Sequence, residues 1–169
     1  MKRLAAVLAI LLLPSAATPT GERVLRHEVT VAAPVEQVWN AWTTEQGLEF
    51  ISAESRVELR IGGPYEWFLD LPPDADGRRG SEGSRVLAWL PRRMLAFAWT
   101  FPPDVASLRA TGETTQVVVL FNALDEETTR VRLHAHGWRR GPDWEAGWAY
   151  FDAAWAAVLD RLQAHFAPN

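Results

Sequence analysis

Two histidines of this 169-residue sequence, His134 and His136, have a spacing that could serve metal chemistry. They are two residues apart in an alternating segment, so both side chains lie on one face of a strand. Such a pair can supply two metal ligands, but a site needs a third, and the sequence offers none of known direction. Alternation also places the pair beside Arg130 and Arg132 on the solvated face. The sequence therefore predicts no metal site and no cofactor.

The candidates for acid–base chemistry are His27, Glu66 and Asp70. Glu66 and Asp70 share a strand face but lie about 13 Å apart, beyond the roughly 5–9.5 Å of carboxylate pairs that act on one bond. His27 lies among apolar residues, which favours a partly buried, hydrogen-bonded histidine over a catalytic base. The chain has no cysteine and no phosphate-loop, nucleophile-elbow or zincin motif. No catalytic residue is assigned.

Aromatic residues form the one pattern that points to binding. The chain has nine tryptophans, and aromatic side chains project from predicted strands towards others on a predicted C-terminal helix. Such a set either close-packs as a core or, where the strands curve away, lines a pocket. The candidate lining residues are Tyr65, Trp67, Phe97, Trp99 and Phe121 from the strands, and Trp144, Trp148, Phe151 and Trp155 from the helix.

The predicted helix covers residues 142–166. Pro142 suits its first position, and Pro168 ends it. Apolar residues recur in steps of three and four and so share one face, namely Trp144, Trp148, Phe151, Trp155, Val158, Leu159, Leu162 and Phe166. A helix of this length needs a large apolar surface to cover.

Alternating strands provide that surface. A first strand at 24–31 is followed by a helix opened by Pro34 and a second short helix with capping-box spacing from Thr43 to Gln46. Strand 56–61, with Ile61 inward, turns at Gly62-Gly63 into a strand from Tyr65. Further strands are predicted at 84–90, 94–101, 114–122 and 128–136, with loops at 72–83 and 102–112. In the last three of these strands alternation gives one apolar face each, namely Leu95, Phe97, Trp99 and Phe101, then Val117, Val119 and Phe121, then Val131, Leu133 and Ala135. We expect an α+β fold in which a curved antiparallel sheet of six or seven strands wraps round the C-terminal helix.

Composition indicates one domain, at residues 23–167, after a short polar lead-in at 18–22. The formal charge is −4 and the basic residues are dispersed, which argues against a nucleic-acid partner. Residues 1–17 have the pattern of a signal peptide, with Lys2 and Arg3 before an apolar run and with small Ser15 and Ala17. We therefore expect cleavage after Ala17, a periplasmic or secreted protein, and no stable membrane anchor afterwards. The sequence indicates no oligomeric state.

Several short motifs in this order resemble one family. They are Pro34 with Val38-Trp39 and Trp42-Thr43, Gly62-Gly63, Arg85-Val86-Leu87, Pro91-Arg92-Arg93, Thr129-Val131-Leu133, His136-Gly137, Gly147-Trp148, Tyr150-Phe151 and Trp155. Over residues 23–166 the chain resembles the activator of heat-shock ATPase homologue (AHSA-type) family of the SRPBCC, START-related helix-grip superfamily. The resemblance implies an apolar cavity between sheet and helix. It implies no single activity, since the superfamily includes lipid and hormone binders, polyketide cyclases, oxygenase subunits and a co-chaperone domain.

Three functions remain open at this point. The preferred one is an exported binder of a small hydrophobic molecule, a lipid or an aromatic metabolite, gated by the loops at 72–83 and 102–112. The second is a cavity enzyme of the same superfamily, with cyclase- or hydrolase-like acid–base chemistry through an inward His27 or Glu66. The third is a co-chaperone-like interaction module that uses the outer face of the sheet.

Overall fold

The computed structural model describes residues 21–70 and 72–168. The predicted signal peptide and residues 18–20 of the polar lead-in lie outside the described residues, so export stays a prediction. In chain order the elements are β1 (Leu25–Val31), α1 (Val35–Thr43), β2 (Glu54–Val57), β3 (Tyr65–Phe68), β4 (Arg85–Leu90), β5 (Met94–Thr100), α2 (Ala106–Arg109), β6 (Thr114–Ala123), β7 (Thr129–His136) and α3 (Pro142–His165). None of the helices in this described part has the length and apolar character needed to cross a bilayer.

The main sheet is an antiparallel meander to which the first strand adds at one edge. Its spatial order is β1-β7-β6-β5-β4. β5, β6 and β7 each pair with the preceding strand, whereas β1 pairs with β7, with Leu25 opposite Ala135 and Val31 opposite Thr129. The predicted inward residues of the last two strands are all buried, namely Val117, Val119, Phe121, Val131, Leu133 and Ala135. Period-two alternation therefore identified the core face of this sheet correctly.

β2 and β3 form a separate two-stranded hairpin, so the predicted single sheet of six or seven strands is wrong in this respect. Backbone hydrogen bonds from Tyr65 N to Ser84 O and from Val86 N to Gly63 O, both 2.9 Å long, join the hairpin to the start of β4. The predicted strand to Ile61 is also too long. The strand ends at Val57, a turn follows in which Gly63 N donates to Arg60 O at 2.8 Å, and Ile61 is 67% exposed rather than inward.

α1 begins directly after Pro34, as predicted, and packs against one end of the sheet. Its buried Trp39 and Trp42 pack edge-to-face on Phe121 of β6, with ring centroids 5.4 and 6.4 Å apart. The predicted second helix is a 3-10 turn at Gly47–Phe50. Its first amide bonds the hydroxyl of Thr44 at 2.9 Å, while the predicted cap, Thr43, donates to Trp39 O within α1.

α3 is 24 residues long and packs its inner side on the sheet, which confirms the α+β architecture and the dominant C-terminal helix. The fully buried stripe is narrower than the predicted face and consists of Gly147, Phe151, Trp155, Leu159 and Leu162. Gly147 permits close approach of α2, because a Cβ atom there would lie 2.5 Å from Leu108 Cδ1. Trp144 and Trp148 lie at the edge of the stripe and are half-buried.

Candidate functional site

A half-open apolar cleft of about 180 Å³ lies between α3 and the ends of β3 and β5. Aromatic and aliphatic side chains make up nearly all of its wall, and two loops begin at its rim, one after Leu69 and one at Pro102. The lining residues are Ile51, Trp67, Leu69, Trp99, Pro102, Tyr150, Phe151, Ala154, Trp155, Ala157, Val158 and Arg161. The arrangement can hold a small apolar molecule against the helix.

Three tryptophans from three different elements form the inner wall of this cleft. Trp67 of β3 and Trp99 of β5 have ring centroids 4.7 Å apart, and Trp155 of α3 lies 5.2 Å from Trp99 and 6.0 Å from Trp67. All three pairs have the steep interplanar angles that aromatic quadrupoles favour. The buried indole nitrogens of Trp99 and Trp155 have no hydrogen-bond acceptor among the described residues. Buried donors of this kind usually have one.

The titratable side chains of the cleft are Tyr150 and Arg161. The Tyr150 hydroxyl donates to Asp104 Oδ2 at 3.4 Å, and burial together with that carboxylate raises the pKa of Tyr150 above its ordinary value. Arg161 is exposed at the mouth, where its Nη1 donates to Ile51 O at 3.4 Å. No carboxylate of the described residues forms an ion pair with Arg161 in this structure. The mouth therefore carries a guanidinium beside an otherwise apolar cleft.

Arg109 of α2 fastens together the two loops that flank the cleft. Its side chain is only 8% exposed, and its Nε and Nη2 lie 3.0 Å from Asp74 Oδ2 and 3.2 Å from Glu82 Oε2. It also donates to Gly80 O at 2.8 Å and to the carbonyl oxygen of Phe101. The Arg109 guanidinium thus joins residues 74–82 of the first loop to α2 and the end of β5. We call these contacts of Arg109 the loop lock.

The two carboxylates of this lock stay ionised for different reasons. The backbone amide of Arg78 lowers the pKa of Asp74, and partial burial opposes that effect only in part. Burial raises the pKa of Glu82, but the backbone amides of Arg79 and Gly80 and the Arg109 side chain outweigh it, so the net shift is downward. Both groups therefore favour the charged form that Arg109 needs.

The structure separates the nine predicted lining residues into two sets. Trp67, Trp99, Phe151 and Trp155 line the cleft. The other five lie elsewhere: Tyr65 and Phe97 pack together in the closed core with centroids 4.4 Å apart, Phe121 packs under α1, and Trp144 and Trp148 surround Trp138 near the start of α3. Ligand binding by the first set stays a prediction.

Tyr65 has a structural contact instead of a lining position. Its hydroxyl donates to Trp42 O at 2.8 Å, and burial raises its pKa well above the ordinary value. Sequence reasoning missed the wall formed by Tyr150, Ala154, Ala157 and Arg161. Their spacing of four, three and four residues marks a helix stripe beside the predicted one, and this was the available signal.

The residues considered for acid–base chemistry lie outside the cleft. His27 Nε2 of β1 is 3.0 Å from Asp152 Oδ1 of α3, without the alignment of a hydrogen bond. Glu66 accepts a hydrogen bond from Gly83 N at 2.8 Å and so holds the first loop. Neither side chain lines the cleft with Tyr150 and Arg161.

The histidine pair on β7 also contributes to the surface, not to the cleft. His134 and His136 have ring centroids 6.3 Å apart, and His136 Nδ1 lies 3.1 Å from Glu22 Oε1. Burial, assisted by Arg26 and the neighbouring basic side chains, lowers the pKa of His134. Within residues 21–70 and 72–168, no three histidine, aspartate or glutamate side chains are grouped so that they could share a metal ion.

A sheet that packs against one long C-terminal helix, with a cleft between them, defines a helix-grip protein. The chain belongs to the family described as Activator of Hsp90 ATPase homolog 1-like protein, whose model matches residues 32–167. The resemblance and the helix-grip fold expected from the sequence motifs are thereby confirmed. A comparison with curated protein sequences gave no match.

Solved structures show the same fold at low sequence identity. Protein MLL2253 from Mesorhizobium loti is 18% identical with a TM-score of 0.66, over 84% of this chain and 95% of that one. CalU16 from Micromonospora echinospora is 21% identical with a TM-score of 0.62, over 89% and 81%. The Aha1 dimer from Colwellia psychrerythraea is 16% identical with a TM-score of 0.60, over 85% and 96%. These likenesses establish the fold.

Proposed function

We propose that this chain is an exported protein that binds a small hydrophobic molecule between the sheet and α3. The observation that carries the proposal is the half-open apolar cleft with Trp67, Trp99 and Trp155 as its inner wall. Its volume of about 180 Å³ favours an aromatic metabolite of one or two rings over a long-chain lipid. An apolar protein cavity of roughly 150 Å³ holds one benzene.

Polar groups at the two ends of the cleft indicate the chemistry of the ligand. The unpartnered indole donors of Trp99 and Trp155 favour a ligand with an acceptor atom on its inner side, since a buried donor without an acceptor costs about 1–3 kcal/mol. Arg161 at the mouth favours a ligand whose acidic group remains near solvent. The proposed ligand is therefore a small aromatic compound with oxygen substituents.

The test fills the cleft without removing any core residue. Ala154 lines the cleft, whereas Ala153 is exposed on the outer side of the same helix. Small aromatic acids and phenols are titrated into the protein while tryptophan fluorescence is recorded, and compounds that co-purify from the native host are identified by mass spectrometry. We expect Ala154→Phe to weaken binding at least about tenfold and Ala153→Phe to leave it unchanged. Equal affinity of these two variants would contradict the proposal. So would a protein that co-purifies with no compound and whose tryptophan fluorescence none of the titrated compounds quenches.

Export is tested separately by the intact mass of the protein from fractionated cells. We expect a periplasmic or secreted product that begins at Thr18. A cytoplasmic product that retains residues 1–17 would overturn the location and leave the binding result unaffected.

The family description favours a second candidate function, a module that binds an Hsp90-type chaperone. In that case the purified chain, without residues 1–17, would stimulate the ATPase of its host's chaperone. Ala154→Phe would not reduce the stimulation, because the cleft is not needed. Stimulation together with a cytoplasmic location would favour this function over ligand binding.

A further inference from the structure

A second concave site lies at the other end of β5 from the cleft, at the turn between β4 and β5. It has a volume of about 520 Å³, within the usual range for small-molecule sites. The turn residues Arg92 and Arg93, the end of β6 with Asn122, and Arg132 of β7 form its wall. Three arginines thus line one groove of a chain whose formal charge is −4.

Few acidic groups balance these three arginines. Arg92 Nη1 is 2.9 Å from Glu36 Oε2, an exposed pair that solvent screens strongly. Arg132 Nη2 donates to Asn122 Oδ1 at 2.9 Å, and Glu28, which lies opposite Arg132 in the sheet, pairs with Arg130 instead. The Arg93 side chain forms no hydrogen bond or ion pair with a described residue. The groove therefore has a local excess of positive charge.

Arg132 has a donor that this structure leaves without a partner. Its Nε atom is buried and forms no hydrogen bond within the described part of the chain. A buried charged donor is normally paired, because desolvation of the unpaired group is costly. An oxyanion in the groove would neutralise this guanidinium and accept hydrogen bonds from guanidinium nitrogens that face the groove, in the fork geometry that arginine favours.

The backbone at this turn supplies a second, independent observation. Arg92 has a φ of 59°, the only positive φ of a non-glycine residue among those described. It follows Pro91 in a turn closed by a hydrogen bond from Arg93 N to Leu90 O of 2.9 Å, where glycine or asparagine is the usual residue. Strain of this kind concentrates at functional sites, and here it brings a basic side chain to the rim of the groove.

We propose that this groove binds a small anionic molecule through a phosphate or carboxylate group held by Arg93, Arg132 and Arg92. The two ligand chemistries share an oxyanion that fits the arginine fork. Inorganic phosphate and citrate are the probes that distinguish them. The site is independent of the hydrophobic cleft, so a single chain would hold two different ligands.

The experiment is a titration of the isotope-labelled protein with each probe, followed by backbone and arginine side-chain NMR. We expect saturable shifts confined to the 91–93 turn, the end of β6 and Arg132. Arg93→Gln and Arg132→Gln should weaken binding about tenfold, and Arg93→Lys should lose much of the affinity although the charge is kept. Arg26→Gln is the matched control, because Arg26 of β1 is exposed, lies outside the groove and forms no ion pair with a described carboxylate, so its affinity should equal that of the parent protein.

Arg92→Gly separates binding from folding. Glycine accepts the positive φ, so we expect the thermal midpoint to rise by about 2–4 °C while affinity for the anion falls. Equal affinity of Arg26→Gln and Arg132→Gln, or shifts spread over the surface, would overturn the proposal. Binding of a polyglutamate peptide at the groove without binding of phosphate or citrate would also overturn it, in favour of a protein partner.

Discussion

Replacement of Arg109 by methionine tests whether the loop lock stabilises the fold. Arg109 donates to two carbonyl oxygens, of Gly80 and Phe101, and pairs with Asp74 and Glu82. Methionine keeps most of the apolar stem in place but leaves these acceptors without their shared donor. Removal of one member of a buried charged network costs about 3–5 kcal/mol. The carboxylates are about a fifth exposed and keep backbone donors, so we expect the low end, a loss of about 3 kcal/mol.

Chemical denaturation monitored by tryptophan fluorescence measures this loss as a change in the free energy of unfolding. Arg78→Gln is the matched control, because Arg78 also lies 3.0 Å from Asp74 but is 45% exposed. An exposed pair of this kind contributes at most about 1 kcal/mol. If the free energies of unfolding of Arg109→Met and Arg78→Gln differ by less than about 1 kcal/mol, burial of the Arg109 guanidinium does not determine how much it stabilises the fold. That result would refute the prediction.

Three further predictions concern the core, the stability of the fold at acid pH and the first loop. Trp155→Ala should cost about 3–5 kcal/mol in the same denaturation assay, and Trp148→Ala, at the edge of the helix stripe, clearly less. Because the pKa of Glu82 is lower in the folded than in the unfolded state, its contribution is present above its ordinary pKa and is lost as pH falls through the folded value. Glu82→Gln should therefore show a shallower loss of thermal stability between pH 6 and 3 than the parent protein, and a steeper loss would refute this. Gly80→Ala should destabilise the loop and speed its proteolysis, because the new Cβ would lie 1.8 Å from Trp67 O; an unchanged cleavage rate would show that the loop accommodates it.

Strand alternation and helix periodicity were sufficient to predict most of the fold. They identified the inward faces of β5, β6 and β7 and the extent of α3 to within one residue. They failed at Ile61 because alternation continues through residues whose backbone has already turned. The alternation of the sequence reports only side-chain polarity. It does not report backbone hydrogen bonds such as that from Gly63 N to Arg60 O, which closes the turn after the strand.

The candidate site could be predicted only in part. Aromatic spacing found Trp67, Trp99 and Trp155, but it could not separate them from Tyr65 and Phe97, which have the same character and lie in the closed core. That difference depends on how deeply each side chain lies between sheet and helix. The loop lock could not be predicted from the sequence either. It joins charged residues of two loops up to 35 positions apart, and loops have no periodicity.

The attachment of β1 to β7 has a consequence for the order in which the chain folds. Short turns join β4 to β5 and β6 to β7, and residues 101–113 join β5 to β6, so the contacts of these strands close at comparatively little entropic cost. β1 pairs with a strand about a hundred residues away in the sequence. Just before β1, Arg23 forms an ion pair with Glu145, 122 positions further along the chain. Such distant contacts cost more loop-closure entropy and therefore form more slowly. We therefore expect the first strand of the chain to be the last to join the sheet.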